Sequence, residues 1–101
     1  MTFEDFRNDI EAKLNSIADF ELQEYHYEPY SFGNGILAYR IKGQIHKFIF
    51  DGRENEMTWF SSKPHQKYFG ADFKMLMRNN GLELTSDELK NGIKNSAQQR
   101  Q

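Results

Sequence analysis

The sequence predicts a two-layer α+β fold in the order α-β-β-β-β-α-α: an N-terminal helix, a four-stranded antiparallel meander and two C-terminal helices. Three observations carry this expectation. Residues 3–17 hold an apolar stripe at helical spacing, residues 20–61 hold alternating segments broken by short turn signals, and Thr85–Glu88 has the form of a helix start.

The first helix rests on Phe3, Phe6, Ile10, Leu14 and Ile17, which step by three or four residues and so share one face. Thr2 with Asp5 three residues on has the arrangement of a capping box, and Glu4, Asp5 and Asp9 lie near the end where the helix dipole favours negative charge. The apolar stripe is narrow, which suits a helix lying on a sheet. In residues 20–30 the alternation changes parity between Phe20/Leu22 and Tyr25/Tyr27, and a bulge near Gln23 and Glu24 reconciles the two halves. Gly33-Asn34-Gly35 is read as a hairpin turn, because these residues tolerate positive φ. The second strand is then Ile36 to Ile41, the third Ile45 to Phe50 and the fourth Met57 to Ser61. Their short connections force neighbours to run antiparallel.

The third strand is apolar on both parities, Ile45 and Ile49 against Phe48 and Phe50, as expected of a central strand or of a sheet covered on both faces. One helix cannot cover both. Either the C-terminal helices take the second face or an aromatic surface stays open. Beyond a loop around Pro64, residues 71–80 read as a short helix, with Phe69, Phe73, Leu76 and Met77 on one side and Gly81 as its stop. The last helix starts at Thr85, with Glu88 completing a capping box and Leu84 and Leu89 at the staple positions. Residues 1–95 are expected to form one domain and the polar residues 96–101 a disordered tail. The order of helix, meander and helix, with an acidic first helix, resembles the general layout of frataxin-like domains; a shared layout does not fix function.

Composition narrows the chemistry. The 101 residues include no cysteine, so disulfides, thiol catalysis and cysteine-held metals are excluded, and a reducing cytoplasm is the simplest setting. No apolar run approaches the roughly 18–20 residues that a bilayer requires, and the acidic N-terminus is unlike a secretion signal. No cofactor motif is present. The net charge of −2 is unevenly spread: residues 1–35 carry two basic side chains, Arg7 and Lys13, against eight acidic ones, and residues 36–68 carry six basic against three acidic.

Glu24, His26 and Glu28 are weak candidates for a metal or acid–base site, since strand residues at i, i+2 and i+4 share a face and set an imidazole between two carboxylates. Ser61, Ser62, His65 and Asp72 contain the residue types of a hydrolase triad without the Gly-x-Ser-x-Gly elbow. His46 lies among apolar neighbours and is expected as a cross-strand partner rather than a ligand.

The aromatic content, 15%, is the most distinctive feature, and it gathers in Tyr25, Tyr27, Tyr30 and Phe32 and in Trp59, Phe60, Tyr68 and Phe69. Tyr and Trp combine large rigid contact area with a polar tip, which suits interfaces. The expected role is therefore a non-catalytic protein-binding module of inhibitor, immunity or adaptor type, using an aromatic sheet face with Tyr25, Tyr27, Tyr39 and Trp59 as contacts. The expected partner is another protein, a basic one given the acidic N-terminal segment, or a second copy of the chain. Stacking of single-stranded nucleic acid on the sheet, with Lys47, Lys63 and Lys67 at the phosphates, is the alternative; the acidic balance counts against it. The Glu24, His26 and Glu28 array is the third reading.

Overall fold

Two interlocking rules, a buried stripe on each helix and a neighbour for each strand, account for the architecture. A computed structural model describes the backbone of residues 2–99 and the side chains of residues 2–97. Among these residues the order is α1 (Phe3–Leu14), β1 (Phe20–Glu28), β2 (Asn34–Ile41), β3 (Gln44–Asp51), β4 (Glu56–Ser62), β5 (Phe73–Asn80) and α2 (Ser86–Gln99). The strands form one antiparallel sheet in chain order, β1 to β5.

The α+β class and the meander are as the sequence predicts, but there are five strands, and one helix follows them. The segment expected as a short helix is β5. Its apolar residues Phe73, Met75, Leu76 and Met77 fit neither period cleanly because a bulge at Leu76 separates the pairs Trp59↔Met77 and Phe60↔Met75. Without β5 the outer edge of β4 would lack ladder partners, and that pairing decides the conformation over local pattern. The bulge anticipated in β1 is present between Leu22 and Glu24.

The first hairpin differs in detail. Positive φ falls on Phe32 and Gly33, while Asn34 and Gly35 open β2. Gly35 must stay bare because a Cβ there would stand 2.7 Å from the Phe3 ring. The Lys42–Gly43 turn has both residues at positive φ, as a two-residue hairpin of this twist requires.

Both helices lie on one face of the sheet. Phe3 stacks on Tyr25, Tyr27 and Phe50, and Phe6 meets Phe48 edge-on. Capping is reciprocal at each N-terminus. Thr2 and Asp5 exchange bonds of 3.0 and 3.1 Å, and so do Thr85 and Glu88. Leu89 and Ile93 of α2 complete the core, and Gly92 allows the helix to approach Trp59. Lys13 ties the two helical segments by donating to Leu84 O and Asp9 Oδ2, each at 2.6 Å. Past residue 95 α2 continues to Gln99, and Ser96 is fully buried and bonded by Gln44 Nε2 at 3.3 Å. Residues 100 and 101 of the expected tail lie outside the described residues.

Candidate functional site

The second face of the sheet is where the molecule is unfinished. Cross-strand register sorts its side chains into rows. One row is Glu24, Ala38, Lys47, Phe60 and Met75; the next is His26, Ile36, Ile49, Thr58 and Arg78; Glu28, Asn34, Asp51, Glu56 and Asn80 close that end. No helix among the described residues covers this face. Instead the β4–β5 connection, residues 63–72, folds back across one half of it.

That loop is held at several points. His65 N donates to Gly43 O at 2.7 Å, Arg40 Nη2 donates to Gln66 O at 2.9 Å, and Gln66 Oε1 accepts from Lys63 N and Asp72 N at 3.2 and 3.0 Å. The Tyr68 hydroxyl donates to Glu24 Oε1, and Lys47 Nζ lies 5.2 Å from the Tyr68 ring centre and 5.3 Å from that of Phe73. Burial and the Glu24 carboxylate both raise the Tyr68 pKa, so the phenol stays a donor. Under this cover Ala38 and Ile45 are fully buried.

The other half is open. Ile36 and Ile49 floor a cleft of about 340 Å³ bordered by His26, Glu28, Asn34 and Asp51, and Met75 stands beyond it, 51% exposed. His26 Nε2 and Glu28 Oε1 are 2.6 Å apart, and that hydrogen bond holds the Glu28 carboxyl below its usual pKa. Arg78 Nε pairs with Glu56 Oε1 at 3.2 Å across the β4–β5 ladder. The apolar side chains in this cleft are aliphatic, in contrast to the aromatic surface expected.

The four residues expected as partner contacts separate. Tyr39 and Trp59 are fully buried on the helix-covered face, which corrects their expected place at the surface. The reason is register: Leu37, Phe48, Trp59 and Met77 stand in one row and Tyr39, His46 and Ser61 in the next, all under the helices. The Tyr39 hydroxyl donates to Glu11 Oε2 at 2.7 Å, and burial together with that carboxylate raises its pKa. Tyr25 is half-buried between Phe3 and Arg7, and Tyr27 is 37% exposed with its ring stacked on Phe3. Tyr30, Phe32 and Phe69 are more exposed still, all on loops, and the Arg53 guanidinium lies 4.2 Å from the Phe32 ring centre. The surface residues that sequence reasoning missed are Ile36, Ile49 and Met75. The signal for Ile49 was there, in a third strand apolar on both parities.

The Glu24, His26 and Glu28 array is divided by its partners. Glu24 is bonded by Tyr68, whereas His26 and Glu28 bond each other. Among the described residues no group of three His, Asp or Glu side chains is placed to hold a metal ion. Ser61 and Ser62 are buried, and Ser62 Oγ accepts from Ile45 N while donating to Lys63 O. His46 is buried too, accepting from Trp59 Nε1 at 3.1 Å through Nδ1. Its proton therefore sits on Nε2, and burial pushes its pKa down to about 4.

No helix among the described residues is long and apolar enough to cross a membrane. Comparison with known protein families, curated proteins and solved structures finds no match.

Proposed function

We propose that this chain is a non-catalytic protein-binding module whose contact surface is the open half of the second sheet face. The observation that carries the reading is the unevenness of that face: one half is sealed by the 63–72 loop, while the other leaves Ile49 exposed on the floor of a formed cleft. Ile36 and Ile49 are cross-strand partners, and an aliphatic pair left open on rigid strands brings a gain on burial without an ordering cost to the sheet. The rim supplies selectivity. Glu28, Asp51 and Glu56 stand at one end, and Asp51 Oδ1 is fixed by accepting from Arg53 N and Glu54 N at 3.0 and 3.3 Å. An apolar floor with a carboxylate border fits a protein partner that offers an apolar tip flanked by basic side chains.

Nucleic acid fits this surface less well. The indole of Trp59 is in the core, and among the described residues the exposed ring in the rows around the cleft is the His26 imidazole, engaged by Glu28, which makes a poor stacking platform.

The test is affinity capture from the native cell with three forms of the chain. Wild type and Ala12→Glu, a change on the exposed side of α1, should retain the same partner; Ile49→Glu should lose it by tenfold or more while keeping its melting temperature, as expected for a contact at the centre of an interface (roughly 1–2 kcal/mol). Equal capture by the Ile49→Glu variant would refute the reading.

A further inference from the structure

The same face holds both a recess and a projection. The recess is the cleft over Ile36 and Ile49. The projection is the 63–72 loop, from which Phe69 extends, 91% exposed, its ring meeting Tyr68 edge-on at 5.4 Å. Tyr68 itself lies over the sheet, bonded to Glu24 and close to Lys47. Phe69 is therefore carried on a loop anchored to this face.

We propose that the chain forms a two-fold homodimer in which the 63–72 loop of each copy, led by Phe69, seats in the open cleft of the other. The proposal rests on the reading of the open face as a protein-contact surface and names its partner. A two-fold axis parallel to the sheet and running across the strands sets the loop-covered half of one copy over the bare half of the next, and does so twice, as a closed isologous interface requires.

Charge follows the same division. The covered half carries Arg40, Lys47, Lys63 and Lys67, with Lys63 also 3.2 Å from Asp72. The bare half is bordered by Glu28, Asp51 and Glu56; Glu56 is paired with Arg78 at 3.2 Å, so Glu28 and Asp51 set the acidic character of that border. The rotation sets the basic half over the acidic border at both ends, whereas a two-fold axis along the strands would set like over like. An aromatic ring entering an aliphatic cleft also supplies the kind of central anchor on which interfaces depend.

The experiment uses the full chain. Sedimentation equilibrium from about 1 μM to about 1 mM should show a monomer–dimer equilibrium for wild type, with Phe69→Glu and Ile49→Glu each weakening it at least about tenfold at unchanged melting temperature. The absence of cysteine allows a positional test as well. A mixture of Phe69→Cys and Ile49→Cys chains, oxidised together, should give mainly the mixed disulfide. A wild type that stays monomeric throughout, or a mixture yielding only Phe69→Cys pairs, would overturn the dimer. Loss of a captured partner by Ile49→Glu would still stand in that case, so the two readings fail separately.

Discussion

His46 accepts the Trp59 indole N–H through Nδ1, yet its Nε2 and the Oγ of its cross-strand partner Ser61 have no hydrogen-bond partner among the described residues. The groups facing it are Tyr39 on β2, whose hydroxyl is engaged by Glu11 of α1, and Trp59 and Ser61 on β4; burial alone accounts for its low pKa. A histidine kept neutral in the folded state makes stability depend on pH in one direction. Below its unfolded value of 6.5 the unfolded chain takes up a proton that the folded chain refuses, until about pH 4. Stability from this group is complete above pH 6.5 and falls by up to about 1.4 kcal/mol per pH unit on the way down. Glu11 adds its own loss at lower pH. Burial pushes its carboxyl up, but hydrogen bonds from Arg7 and Tyr39 outweigh that and hold it below its usual value. Urea midpoints measured between pH 7.5 and pH 4.5 should decline for wild type. The decline should be shallower for His46→Gln, which keeps an acceptor for the indole; parallel curves would show that His46 does not titrate in this window.

Among the elements, the two helices were the most legible, and for a reason that also makes them testable. Thr2–Asp5 and Thr85–Glu88 are local signals whose geometry depends on four residues, so distant packing does not rewrite them. Thr85→Ala should cost about 1 kcal/mol by leaving the Glu88 N–H without its acceptor, and Thr85→Ser should recover most of it; chemical denaturation measures both. The central strands β2, β3 and β4 were legible because short turn signals bound each of them. Each edge strand carries a bulge, at Leu22/Glu24 in β1 and at Leu76 in β5. In β1 the change of parity gave the bulge away. In β5 it placed Leu76 and Met77 side by side and produced a spurious helical stripe with Phe69 and Phe73. The candidate site was less legible still. Whether an isoleucine in a two-faced strand is covered depends on where a loop from elsewhere lies down, and the Tyr68–Glu24 bond that holds it spans 44 positions. The aromatic bet failed for Tyr39 and Trp59 because a small domain with two helices uses its largest rings to fill the layer between helix and sheet.

At the scale of the whole molecule, protection should grade from the centre outward. β3 is hydrogen-bonded on both sides and packed under both helices, whereas β1 and β5 each leave one edge unpaired. Amide hydrogen exchange should be slowest in Phe48 and its neighbours and faster along the outer sides of β1 and β5. Equal protection of β5 and β3 would mean that the free edge of β5 is paired in solution. The uneven charge of the sequence also finds a place in three dimensions. Seven of the eight acidic residues of segment 1–35 lie on α1 and β1 and the eighth, Asp19, lies between them, while much of the basic charge lies on the loop and strands beyond β1.

Because every strand lies beside the one made just before it, the sheet can grow in the order in which a ribosome delivers it, with no strand waiting on a later one. Phe3 and Phe6 find their ring partners as soon as Phe50 has emerged, so the amino-terminal part can bury its own grease early. The indole at position 59 finds Phe48 and His46 already made, but its cover comes later. Its lid, Gly92 and the helix around it, comes after every strand of the sheet, so a copy interrupted before α2 would leave one side of the largest side chain of the core bare.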